Sequence, residues 1–135
     1  MSSLRSLPRE ECFRKLDVTR VGRVAVTDHA LPAIVPVNYV RAGALIIFRT
    51  EAGGMLAKAC DDAVIAFEID GVDADGRAGW SVLVVGVAEL LDGSSALRAV
   101  ETGLVSAAGD GRDQFIAIPL GTITGREIVR DPQAA

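Results

Sequence analysis

Residues 31–56 read LPAIVPVNYVRAGALIIFRTEAGGML. Two apolar, β-branched runs are separated by Ala42-Gly43, which reads as a hairpin turn between two strands. The second run ends in Arg49 and Thr50, and Gly53-Gly54 then lead into a stretch from Met55 with helical spacing. Backbone N–H groups at a helix start and a nearby cation converge on that point, an arrangement suited to a phosphate. Lys58 falls within the first turns of the same helix. On physical grounds alone, Arg49 and Thr50 read equally well as an exposed strand edge.

The rest of the chain follows the same short-strand plan. Pro8 and the acidic pair Glu10-Glu11 mark the start of a helix, with Ser6 as its candidate cap and Val18 near its end. Strand signals follow at Gly22–Thr27, Ala33–Tyr39, Ala44–Arg49, Val64–Ile69, Trp80–Leu90, Phe115–Leu120 and Ile123–Val129. Turn residues at Asp28-His29-Ala30, Ala42-Gly43 and Asp70–Gly79 join several of them. Ser94-Ser95 reads as the cap of a helix reaching about Ala107, with the loop AGDGRD after it. Such close spacing means hairpins and an antiparallel sheet. With 135 residues and 50% apolar content, residues 1–135 fit one domain around one core.

Aromatic residues make up only 4% of the chain, so Val, Ile, Leu and Ala fill the interior. The strands IVPVNYV and SVLVVGVAEL are apolar on both faces, unlike an open sheet with one wet face. The sheet therefore closes into a barrel or is covered by helices or a second subunit, and the surplus apolar surface points to a homodimer. A net charge of −4 argues against nucleic acid or an anionic membrane as the main partner. No run approaches the ~18 apolar residues of a spanning helix, and the first seven residues lack a signal core. A cytoplasmic protein is expected. Cys12 and Cys60 fall in predicted helices without CxxC spacing and read as reduced core thiols.

The catalytic inventory is short. His29 is the only histidine and lies in a turn, which excludes a multi-histidine metal site and reads as a solvated side chain. HExxH, the P-loop and a helix-opening GxGxxG are absent, so any enzyme chemistry is expected from a cofactor. The segment DGVDADGR reads as a solvated acidic turn rather than a calcium loop, because its flanks are strands and the required glutamate is missing.

The segments RVGRVAV, PVNYV, IIFRT with its glycine turn, VIAFEID, GWSVLVVGVAEL and IPLGTITGREI follow one another in an order that resembles the pyridoxamine 5'-phosphate oxidase-like split barrels. The likeness runs from about Glu10 to Val129 and is nearest to short pyridoxamine 5'-phosphate oxidase-related and nitroimidazole-reductase-like flavoproteins. It implies a mainly β fold, an antiparallel Greek-key-type split barrel with a few helices, binding flavin mononucleotide (FMN) at a homodimer interface. By the same resemblance Pro36, Val37, Asn38 and Tyr39 run along the flavin ring, Arg49 and Thr50 face the ribityl phosphate, and Met55, Leu56 and Lys58 follow on the helix. Trp80 and Ser81 approach from the same or the partner subunit. Many relatives carry lysine where this chain has Met55, which leaves the phosphate to Arg49, Thr50, main-chain N–H groups and Lys58.

The resemblance implies an oxidoreductase that passes hydride or electrons between a nicotinamide nucleotide and a small-molecule acceptor. The chain lacks the longer C-terminal region of true pyridoxamine-phosphate oxidases, so vitamin B6 oxidation is not expected. The alternatives are a non-catalytic flavin or haem binding or storage protein, and a reductase using an 8-hydroxy-5-deazaflavin coenzyme. The acceptor pocket is expected in the loops Asp70–Gly79 and Ala107–Gln114, whose residues name no ligand.

Overall fold

The structure, a computed structural model, describes residues 3–95, 101 and 113–129. The elements run β1 (Ser3–Ser6), α1 (Arg9–Val18), β2 (Val21–Asp28), β3 (Leu31–Ala42), β4 (Leu45–Glu51), α2 (Met55–Cys60), β5 (Val64–Val72), β6 (Gly79–Val87), β7 (Glu89–Leu90), β8 (Asp113–Pro119) and β9 (Thr122–Val129). All nine strands join one sheet in the order β1-β9-β6-β5-β2-β3-β4-β8-β7, every pair antiparallel. The helix expected from Ser94 to Ala107 and the AGDGRD loop lie almost wholly outside the described residues.

The sheet closes because one strand changes partners. β6 and β7 are separated only by Ala88, which is fully buried and whose N–H donates to Ala63. Upstream of it, Val87 still pairs with Val64 of β5; downstream, Glu89 pairs with Ala117 of β8. The strand read from the sequence as Trp80–Leu90 is thus handed from β5 to β8, completing a ring of β2, β3, β4, β8, β6/β7 and β5. Gly86 sits at the seam, where a Cβ would crowd the Pro119 ring and Ile118. The mainly β, split-barrel architecture follows.

Strand alternation fills this ring. Val24 and Val26 of β2, Ile65, Phe67 and Ile69 of β5, and Val82 and Val84 of β6 point inward and are nearly inaccessible. Gly22 is required at its position, because the Phe67 ring occupies the place of any Cβ. α2 buries Leu56, Ala57 and Cys60 at one end of the barrel, and α1 lays Cys12 and Leu16 against the core near β9. Both cysteines are free thiols in the core, and burial pushes Cys60 up to about 11.

Several boundaries differ from the sequence reading. Ser6 does not cap α1: it ends β1, an exposed strand of three polar residues and Leu4 that carries no strand signal of its own, and pairs with Arg126. Pro8 stands at the cap with no side-chain bond, and its carbonyl accepts from the Cys12 N–H. The second hairpin turn is Gly43-Ala44, with Ala42 still paired to Leu45. β5 runs on to Val72 because the ladder continues through Gly71 and Trp80. The Asp73 carboxylate then organises the loop by accepting from the Arg77 and Ala78 N–H groups. In the first hairpin His29 and Ala30 both adopt positive φ, 50° and 67°, as its two-residue turn requires.

Candidate functional site

The barrel splits between β3 and β4. β3 pairs with β2 from Leu31 to Asn38, but with β4 only from Tyr39 to Ala42. Among the described residues no strand covers the other edge of residues 31–38. In an antiparallel ladder both main-chain polar groups of a residue point to the same side, and that side alternates. The Tyr39 N–H donates to Arg20 on the β2 side at 3.2 Å, so Pro32, Ile34, Pro36 and Asn38 turn theirs toward the open edge. Prolines 32 and 36 carry no N–H and discourage a stray strand from pairing there. The edge therefore presents N–H donors at Ile34 and Asn38 and the carbonyl acceptors of Pro32, Ile34 and Pro36, while the Asn38 carbonyl belongs to the last rung with β4.

Side chains at the mouth of the split follow from the same register. The last ladder pair is Tyr39 with Phe48, so Asn38 and Arg49 stand one step beyond it, on opposite lips and both on the outer face. The Arg49 guanidinium has Asp113 of β8 at 3.8 Å, a loose pair that among the described residues leaves N–H donors for another anion. Val40, Ile47, Phe115 and Ala117 form an apolar cluster on the same outer face. That cluster is already largely buried in the single chain, so what the split offers a ligand is polar: two main-chain donors, an amide and a guanidinium, a set that suits the polar rim and phosphate of a heterocyclic nucleotide.

The third side is α2. Gly53, at φ 75°, and Gly54, whose N–H donates to Glu51, turn the chain from β4 into this helix. Leu56 points into the core, while Met55 and Lys58 face outward. With Thr27, Asp28, His29 and Ala59 they line a recess of about 410 Å³ beneath the first hairpin. His29 is almost fully exposed and its Nδ1 lies 2.9 Å from Asp28.

The structure does not gather every residue expected at the site. Arg49 and Thr50 are neighbours on a strand and point to opposite faces; Thr50 shares the Phe48 side. Arg49 does not line the Lys58 recess. Val37 and Tyr39 face the core, and the Tyr39 hydroxyl donates to the Leu16 carbonyl at 2.7 Å, so only their main chain is open to a ligand. Burial raises the Tyr39 hydroxyl well above its usual range. Trp80 covers Gly71 from the inner side and is stacked by Lys15 at 4.1 Å, joining α1 to the sheet. Ser81 points outward, between Asp70 and Arg126.

One cluster escaped the sequence reading. Arg23 of β2 bonds Asp70 at 2.7 Å and Glu68 at 3.4 Å across the outer face. The alternation in VIAFEID places Glu68 and Asp70 on one face, but nothing local announces Arg23, 45 residues earlier.

A family model described as pyridoxamine 5'-phosphate oxidase matches residues 8–127. An uncharacterised protein of Mycobacterium tuberculosis is 33% identical over 130 residues, covering 93% of this chain and 86% of the relative. Among solved structures, an FAD-binding protein from Mycobacterium smegmatis superposes with TM-score 0.77 at 28% identity, covering 93% of this chain and 98% of that one. An FAD-binding protein from Mesorhizobium loti shares the fold, with TM-score 0.80 at 24% identity over 96% of this chain and 100% of that one. No helix among the described residues is long and apolar enough to cross a membrane. The chain belongs to the pyridoxamine 5'-phosphate oxidase family of split barrels.

Proposed function

We propose that this protein binds a flavin nucleotide in the split between β3 and β4 and works as a homodimeric oxidoreductase. The carrying observation is the register step that sets Asn38 and Arg49 on opposite lips of an open edge with free main-chain donors. Bound flavin supplies a ring that takes up and releases hydride. The Asn38 amide and the edge N–H groups of Ile34 and Asn38 hold its polar rim, Pro36 gives an apolar contact, and Arg49 carries the phosphate. Lys58 extends the positive field along α2, where Met55 leaves the first helical position neutral. FMN and FAD share the ring and first phosphate, so the site takes FMN as the minimal ligand. The FAD bound by the Mycobacterium smegmatis relative supports the flavin class. A nicotinamide nucleotide is the proposed reductant, with a small molecule as acceptor.

The homodimer is supported by the outer face of the sheet. Ile34 and Val64 are 70% and 68% exposed, and Leu83, Val85 and Val87 extend the same surface across β6. A monomer would leave this apolar face in water.

Titration of the protein with FMN and FAD, followed by flavin fluorescence and absorption, tests the site. Arg49→Ala is expected to weaken binding at least tenfold, as loss of one charge-assisted contact of about 1.5–3 kcal/mol requires. Full flavin affinity in the double variant Arg49→Ala, Lys58→Ala refutes the placement. Bound flavin that no nicotinamide reduces, under conditions where free flavin is reduced, favours a storage role.

A further inference from the structure

The outer face proposed to join two copies has a charged centre whose geometry is unbalanced. Glu68 and Asp70 stand two residues apart on β5, on the same side, and share the single guanidinium of Arg23 on β2. Among the described residues the other ladder neighbours of Glu68 supply no charge. Its partner on β6 is Leu83, with Val85 and Ser81 on either side, and β3 contributes Ile34, Pro36 and Asn38 behind Arg23. Among the described residues the nearest further cation on this face is Arg126 of β9, in the row of Asp70 and Ser81 and two strands from β5, about 10 Å at the usual strand spacing. With both carboxylates ionised, each copy brings one uncompensated negative charge to the centre of an apolar surface.

We propose that Glu68 and Asp70 together hold one proton when two copies join through this face, so that dimer formation takes up protons and is strongest at neutral to acidic pH. The inference rests on the homodimer reading above and specifies how that interface is regulated. A two-fold interface brings the same patch from both copies together. Two unbalanced charges in a surface drained of water repel, and they lose the hydration that the free chain gives them. One proton per copy removes both costs, leaving Arg23 with a single carboxylate partner and the second carboxyl hydrogen-bonded to the first. In the single chain, burial and then the adjoining Asp70 already push Glu68 up to about 7, against the pull of Arg23. A second copy excludes more water and raises it further. The protonated form therefore favours the dimer, and association weakens as pH rises through the free-chain value.

Sedimentation velocity from pH 6 to pH 9 reads this directly. The dimer dissociation constant is expected to be flat below about pH 6.5 and then to rise, by up to about a hundredfold per pH unit, the limit set by two protons per dimer. Glu68→Gln, which keeps the shape and removes the charge, is expected to give the tight low-pH constant throughout, and Asp70→Asn to flatten the profile in the same way. Val85→Arg, in the apolar row beside Glu68, is expected to abolish the dimer at every pH. A wild-type constant that does not change with pH, or a Glu68→Gln variant that keeps the wild-type profile, overturns the proton linkage while the dimer stands. A wild-type chain that remains monomeric at pH 6, or a dimer insensitive to Val85→Arg, overturns the interface itself.

Discussion

Tyr39→Phe separates a core role from a cofactor role at one residue. The Tyr39 side chain is 3% exposed, packs edge-on against Phe67 with centroids 4.8 Å apart, and donates its hydroxyl proton to the Leu16 carbonyl at 2.7 Å. Leu16 lies in the last turn of α1, whose carbonyls have no N–H partner within the helix. Removing one oxygen leaves the ring contacts intact and opens no cavity worth a methyl group. The cost is the unsatisfied buried acceptor, about 1–3 kcal/mol, with about 2 kcal/mol as the central value. Unfolding entropy near 2.1 cal/mol/K per residue converts this, over 135 residues, into a melting point lower by about 7 °C. Calorimetry and urea titration at pH 7 should both show it, with an unchanged urea slope, because the exposed surface on unfolding is the same. Flavin affinity should be unaltered. A variant as stable as wild type refutes the assigned bond, and a tenfold weaker flavin complex at unchanged stability places the phenol in the site instead of the core.

Three further outcomes follow from the same geometry. Gly22→Ala forces the Phe67 ring to move and should cost about 1–3 kcal/mol, read by urea unfolding; a neutral result refutes the tight approach of β2 to β5. Arg41 holds Asp17 through two bonds of 2.7 and 2.8 Å, which lowers the Asp17 carboxyl below its ordinary value. Its stabilisation is present above the unfolded-state value, near 3.9, and is lost as pH falls through the lower folded value. Asp17→Asn should therefore cost about 1 kcal/mol at pH 7, after allowance for solvent screening, and nothing in strong acid; a cost that does not depend on pH shows that the charge is not its source. Met55→Lys places a cation at the start of α2 and should tighten FMN binding about tenfold in fluorescence titration, whereas unchanged affinity moves the phosphate away from that helix.

Much of this protein is decided by chemistry within a few residues. Alternation in VGRVAV and VIAFEID determines which side chains face inward, because the two sides of a strand see different solvents. Glycine or a tolerated left-handed pair determines the turns at 29–30 and 43–44. Gly53-Gly54 ends β4 and starts α2. The mainly β fold and its hairpins were therefore legible, and the order of segments made the split barrel recognisable.

What the tertiary structure decided depends on register between segments far apart in the chain. β1 is four exposed residues, three of them polar, and only pairing with β9 makes it a strand. The strand containing Ala88 looks continuous in sequence, yet its partner changes there from β5 to β8, and that change closes the barrel. The contacts Arg49–Asp113 and Arg23–Glu68–Asp70 arise the same way. So does the sorting of Pro36-Val37-Asn38-Tyr39, where the even residues reach the open edge and the odd ones the core. Local propensity acts over a turn or a strand, whereas register is settled by how all strands pack around one interior. The chain's composition and turns thus specify a barrel, and only its closure decides where that barrel opens.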